Sequence, residues 1–321
     1  VNAHVPRFGS GEAKGVIDES VRGMDLYILV DVCNYSLTYS MSGNTNHMSP
    51  DDHYQNLKRI IAAVGGKAKR INVIMPFLYE SRQHKRSSRE SLDCALALQE
   101  LTHMGVDNII TFDAHDPRVQ NAIPLSGFET VRPTYQFVKG LLDRYDDLII
   151  DSDHMMAISP DEGATERAVY LANVLNLDMG MFYKRRDYTR VVNGRNPIVA
   201  HEFLGSSVEG KDVIILDDMI SSGDSILDVA KQLKSRNAKR IFAAATFGLF
   251  TNGLDKFDEA YESGLIDGVL TTNLIYQTPE LLSRPYYINC DMSKYIAYII
   301  DTLNHDSSIS DLLNPYDRIQ K

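Results

Sequence analysis

Cysteine is scarce in this 321-residue chain: Cys33, Cys94 and Cys290 are far apart and show neither paired nor metal-knuckle spacing. That excludes a disulfide framework and a cysteine metal site, and it reads as reduced structural thiols in a cytoplasmic protein. Long hydrophobic runs are also missing. The longest apolar stretches are strand-length, well short of the roughly 20 residues a membrane helix needs. No basic, apolar, small-residue export segment opens the chain at Val1. Net positive charge is absent too: 33 Lys and Arg face 43 Asp and Glu, for a formal charge of -10. This disfavours a general nucleic-acid surface and a polybasic membrane contact.

What is present is an ordinary globular balance, 44% apolar and 24% charged. Cationic residues are nonetheless concentrated. Residues 58 to 89 carry nine Lys or Arg against Glu80 alone, and residues 184 to 195 carry five against Asp187. Such segments suit a small polyanionic substrate, or a solvated helix face.

Apolar strand-like runs recur at 25–31, 70–77 and 108–113, then at 155–161, 179–183, 212–218, 240–248 and 268–273. Between them, segments such as DDHYQNLKRIIAAV, RESLDCALALQELTHM, TERAVYLANVLN and SILDVAKQLKS place apolar residues at steps of three and four. Continuous apolar strands alternating with helices indicate parallel sheets covered on both faces. The two sets look like variations on one theme and predict two domains, with a boundary near DDLIIDSD at 146–153. MSKYIAYIIDTLN predicts a further helix, which the sequence assigns to neither domain. Open sheets of this kind bind ligands beyond the carboxyl ends of their strands.

DVIILDD ends its apolar run in Asp217 and Asp218. Two adjacent acids at a strand end repel each other unless a cation or hydroxyl donors satisfy them. A sugar diol or a metal would serve. The small-residue turn Ser221-Ser222-Gly223-Asp224-Ser225 follows and leads into a helix expected near Ile226. Its backbone N–H groups suit a phosphate at a helix N-terminus. The alternative is a turn in which Asp224 or Ser225 is only a helix cap.

This turn resembles the phosphoribosyl-diphosphate motif of the type I phosphoribosyltransferase fold. Further stretches, RFGSGEAKGVIDESVRGMDLYIL, ESRQHKRSSRESLDCALAL, TFDAHDPRVQNAIP, SPDEGATERA, MFYKRR and TFGLFTNGL, narrow the resemblance to the ribose-phosphate diphosphokinases (phosphoribosyl-diphosphate synthetases). The resemblance implies an α/β protein of two tandem type I phosphoribosyltransferase-like domains, each with a mostly parallel sheet flanked by helices. Residues 1–148 form the expected ATP-contacting domain, 149–290 the ribose-5-phosphate-binding domain, and 291–321 a helical segment.

Residue by residue, the resemblance implies that Arg82, Gln83 and Glu12 contact ATP. It assigns His115 to both nucleotide and metal, and Asp161 of SPDEG to magnesium (Mg2+). Lys184 and Arg186 are the implied catalytic cations over the transferring phosphoryl group, on a flap formed by MFYKRRDYTRVVNGRNP. From the residues alone, the 82–86 run has the alternative of solvated charge and the flap that of a solvated hairpin, whereas a lone histidine such as His115 is more often a satisfied polar group than a ligand. Several positions depart from the family pattern. His84 stands where aspartate is common, Gly11-Glu12 replaces an aspartate-glutamate pair, and Ser221 stands in place of an aspartate. Residues 34–52 form an atypical loop, and the family's usual first strand and helix do not precede Val1.

The expected activity is that of a transferase of nucleotide biosynthesis, a kinase acting on ribose 5-phosphate and ATP, in a homodimer or higher homo-oligomer. The rival readings are a phosphoribosyltransferase, favoured by ISSGDS, and a non-catalytic nucleotide-binding regulatory homologue.

Overall fold

Two sheets carry most of the apolar runs in the computed structural model, which describes residues 1–186 and 198–319. The chain divides into two compact units. The first comprises Val1–Arg132, Leu274–Tyr276 and Ser293–Leu313, and the second Pro133–Asn273, Gln277–Met292 and Asn314–Lys321.

In the first unit, β1 (Ala3–His4) and β2 (Val16–Ile17) form a short antiparallel pair. Then follow β3 (Asp25–Leu29), β4 (Thr38–Met41), β5 (Asn44–His47), α1 (Pro50–Val64), β6 (Arg70–Ile74), α2 (Asp93–His103), β7 (Asn108–Phe112) and β8 (Gly127–Val131). A parallel sheet runs β3-β6-β7-β8. Leu57, Ile61, Leu98 and Leu101 of the helices pack with Ile71, Val73 and Ile109 of the strands. The segment expected as a loop at 34–52 is instead the hairpin β4–β5, closed by Ser42 and Gly43 at positive φ. Ser49 then starts α1 through a capping box with Asp52.

The second unit contains α3 (Thr134–Arg144), β9 (Met155–Ser159), α4 (Thr165–Leu175), β10 (Asp178–Arg186), β11 (Ile198–Leu204), β12 (Asp212–Ile220), α5 (Asp224–Lys234), β13 (Ile241–Gly248), α6 (Asp255–Glu262), β14 (Gly268–Thr272), α7 (Pro279–Leu282) and β15 (Tyr287–Cys290). Its sheet order is β11-β10-β9-β12-β13-β14-β15, parallel except for β10 against β11. The period of two along β12 is visible in its packing. Val213 and Ile215 join a core with α5, whereas Ile214 and Leu216 join one with α3 and α4. Both faces are therefore covered.

Helix α8 (Ser293–Asn304) and α9 (Ser310–Leu313) belong to the first unit, and α10 (Tyr316–Ile319) to the second. An arginine explains the placement of α8. Arg70, at the start of β6, donates to Asp25 on β3, to Asp306 and to the Leu303 carbonyl.

The same clamp recurs in the second sheet. Arg240 donates to Asp212 at the start of β12 at 2.9 and 2.6 Å, and to Asp147 at 2.8 Å. The next residue of each clamp also matches, because the Ile71 N–H donates to Asp107 and the Ile241 N–H to Asp267, both at 2.8 Å. The two sheets thus share one device for tying the amino ends of three strands.

Asp212 is 3% exposed, so removing its cation leaves a buried charge unpaired. Arg240→Ala is expected to cost about 3 kcal/mol or more in urea unfolding, with an unchanged denaturant slope.

Candidate functional site

Strand order in the second unit reverses between β9 and β12: the chain leaves β9 toward β10 on one side, and β12 lies on the other. The carboxyl ends flanking such a reversal are where open α/β sheets receive ligands. Asp161 follows β9 there, and Asp217 and Asp218 lie within the last turns of the pleat in β12.

Asp218 is 3% exposed, and the Arg167 guanidinium on α4 stands 3.9 Å away. Asp217 accepts the N–H of Asp218 at 2.9 Å. Burial pushes the Asp217 carboxyl well above the usual carboxylate range, and the charges of Asp218 and Asp161 add to the effect. Burial and the neighbouring carboxylates make a charged Asp217 unfavourable, so hydroxyl donors or a cation there would be bound favourably.

The turn after β12 is built to bring backbone close. Gly223 has φ +82, and a β-carbon there would lie 2.4 Å from the Phe257 ring. Phe250 packs edge-on against Phe257, and the turn at 250–251 hydrogen-bonds the Ile220 and Ser221 carbonyls. Helix α5 begins at Asp224 rather than at Ile226, its N-cap is Gly223, and Ser222 Oγ accepts the Asp224 N–H at 3.4 Å. The capping role considered for Asp224 or Ser225 is therefore not what the turn provides. Ser222 Oγ donates to Asp224 at 3.0 Å, and Lys256 on α6 donates to the other carboxylate oxygen at 2.5 Å. Those bonds hold the Asp224 carboxyl below its usual range. An N-terminus whose N-cap is glycine, with Ser221 and Ser222 half-buried beside it, can accept a phosphate.

In the first unit the segments after the neighbouring strands β6 and β7 come together. Arg82 and Gln83 are exposed. The ring of His84 lies 5.2 Å from that of His115, and its Nε2 is 3.6 Å from Asp116. Burial, with His115 beside it, lowers the His84 pKa. Its Nδ1 is buried, with no hydrogen-bond partner among the described residues. Hydrogen bonds from Arg118 hold the Asp116 carboxyl down to about 2. Glu12 lies on the separate loop 8–12, exposed, and takes the Ser10 hydroxyl at 2.8 Å.

Lys184 and Arg186 lie at the end of β10, where Lys184 registers with His201 and the register shifts between Arg185 and Arg186. The rest of the expected flap, 187–197, lies outside the described residues.

Among the described residues no group of three His, Cys, Asp or Glu is arranged to hold a metal ion unaided. Asp161 Oδ1 already accepts the N–H groups of Gly163 and Ala164 at 3.0 and 3.3 Å. Such a donor set fits magnesium carried on substrate phosphates, which asks the protein for only one or two ligands.

Two residues at this end of the sheet were not singled out from sequence: Arg167 against Asp218, and Lys256 against Asp224. The acid pair itself was the available signal, since buried charges need a partner, and TERA supplies an arginine in the first turn after the neighbouring strand.

Asp217, with its folded-state pKa raised, gives stability that is fully present below the ordinary carboxylate range near about 3.9 and is lost as pH rises through the raised value. Asp217→Asn is therefore expected to stabilise the ligand-free protein at neutral pH by roughly 1 kcal/mol, or about 2–4 °C in Tm, with little gain below pH ~4. Thermal melts across pH test this, and a destabilised neutral-pH variant would contradict the repulsion.

Comparison with known proteins bears on both units. Residues 1–105 match the family model of the N-terminal domain of ribose phosphate pyrophosphokinase, and residues 132–272 that of the phosphoribosyl transferase domain. A ribose-phosphate pyrophosphokinase of Mycoplasma genitalium is 31% identical over 272 residues, covering 84% of this chain and 74% of its own. That of Vibrio parahaemolyticus is 28% identical over 317 residues, covering 98% and 91%. The crystal structure of phosphoribosylpyrophosphate synthetase from Mycobacterium smegmatis superposes with a TM-score of 0.77 at 23% identity, over 95% of this chain and 91% of that one, and so shares the fold. With a full-length fold in common and close to a third of residues identical to one relative, the chain belongs to the ribose-phosphate pyrophosphokinase family.

Proposed function

We propose that the protein transfers the diphosphoryl group of ATP to the C1 hydroxyl of ribose 5-phosphate. The C1 oxygen attacks the β-phosphorus, the bond from that phosphorus to the α-phosphate oxygen breaks, and AMP leaves with that oxygen. The hydroxyl proton is released to solvent. The observation that carries this reading is the acid pair near the carboxyl end of β12, followed by the α5 N-terminus with its glycine N-cap. Carboxylates would take the ribose diol, and the turn would take the 5-phosphate.

Asp217 and Asp218 therefore hold the sugar, with Ser221, Ser222, Gly223, Asp224 and Ser225 forming the phosphate turn. Arg82, Gln83, Glu12 and His115 position ATP. His115 and Asp161 are assigned to Mg2+, an assignment that rests on the sequence resemblance. Bound magnesium would offset phosphate charge and polarise the attacking hydroxyl. Lys184 and Arg186 neutralise the charge that builds on the transferred and leaving phosphates. The free cysteines, two of them buried, support a reducing, cytoplasmic setting. Burial pushes the Cys94 and Cys290 thiols up to about 12, so they are poor nucleophiles. Assembly as a homodimer or larger homo-oligomer rests on the resemblance alone.

Phosphorus NMR of the protein with ribose 5-phosphate, ATP and magnesium tests the reading. AMP and a C1 diphosphate are expected only when the sugar is present. Binding of both ligands without conversion would instead favour a regulatory nucleotide-binding homologue, a reading consistent with serine at position 221. In the active protein, Lys184→Ala is expected to lower kcat roughly a hundredfold with little change in KM. The pair Asp217→Ala, Asp218→Ala is expected to raise the KM for ribose 5-phosphate by about tenfold or more. Unchanged turnover in the lysine variant would remove that residue from the reaction centre.

A further inference from the structure

Hairpin β4–β5 places Tyr39 and Met41 on one face and is otherwise polar, and two isolated strands are marginal in water. Its contacts with residues 7–12 account for its place. The Ser42 N–H donates to the Gly9 carbonyl at 2.9 Å. The Arg7 guanidinium carbon lies 3.8 Å from the centre of the Tyr39 ring. The same guanidinium donates to the Gly11 carbonyl at 3.1 Å and to Asp52 at 3.0 Å. Asp52 also closes the capping box of α1, so one arginine links the loop, the hairpin and the helix start.

Met41 completes the contact. Gly11 has φ +94, and a β-carbon there would sit 2.7 Å from the Met41 sulfur. Inside the loop, the Phe8 N–H donates to the Glu12 carbonyl at 2.8 Å and the Gly11 N–H to the Phe8 carbonyl at 2.9 Å. The Arg7 side chain is 11% exposed, so its ring contact and ion pair are far less screened than surface pairs.

We propose that the hairpin is a positioning brace for the nucleotide loop: Tyr39 and Met41 hold residues 7–12 in one conformation, so that Glu12 meets ATP already ordered. A loop fixed before binding loses less conformational freedom when the ligand arrives. This rests on the assignment of Glu12 to ATP made above, and neither Tyr39 nor Met41 touches substrate.

The test compares Tyr39→Ala, Tyr39→Phe and Glu12→Gln in the full chain. Tyr39→Ala is expected to speed amide hydrogen exchange at Phe8 and Gly11 by about tenfold. It should also raise the KM for ATP roughly tenfold, while kcat at saturating ATP and the KM for ribose 5-phosphate stay within about twofold. Tyr39→Phe keeps the ring over Arg7 and should behave like the parent. Should Tyr39→Ala fail to fold, Met41→Ala carries the same expectation. Unchanged exchange, faster exchange with an unchanged KM for ATP, or equal effects on both substrates would overturn the brace. An unchanged KM for ATP in Glu12→Gln would instead overturn the assignment of Glu12, which separates the two failures.

Discussion

Two carboxylates side by side at the end of a buried strand are the constraint around which the second unit is organised. Asp217 and Asp218 lie two residues short of the end of β12, where strand order reverses, with Asp161 near enough to raise the Asp217 pKa further. Arg167 stands 3.9 Å from Asp218. The raised Asp217 pKa marks a preference for hydroxyl donors or a cation, beside a helix whose N-cap is glycine. On the proposed function a sugar phosphate would satisfy both at once, the diol at the acids and the phosphate at the turn.

The opposite edge of each sheet is held by an arginine clamp, and the two clamps give a common origin for comparing the units. Five residues beyond Asp212 stands Asp217, whereas five beyond Asp25 stands Val30. The acid pair therefore becomes Val30-Asp31 in the first unit. Asp31 is taken up by the N–H groups of Cys33 and Tyr276, at 2.8 and 2.6 Å, and burial raises its pKa. One scaffold thus appears twice, with two adjacent strand-end carboxylates in one copy and a single carboxylate bound by backbone N–H groups in the other.

Much of this was legible in sequence because continuous apolar runs specify buried parallel strands. DVIILDD, RIFAAATFG and NIITFD became β12, β13 and β7 within one or two residues. The hairpin was not legible. Asn44–His47 is polar throughout and Thr38–Met41 alternates over four residues only, and both bury little, so neither stands out as a strand. Helix α3 was obscured by Pro133 before it and Gly140 within it. At the site, the acid pair and the turn were readable from composition at a strand end. Arg167 was not, because a partner from another helix is a property of packing.

Carbon-13 NMR of the aspartate carboxyls, titrated with and without ribose 5-phosphate, tests the central claim most directly. One carboxyl, assigned by its loss in Asp217→Asn, is expected to titrate above the ordinary value of about 3.9, and to fall when sugar hydroxyls donate to it. A midpoint in the ordinary range that the sugar phosphate leaves unmoved would contradict the account.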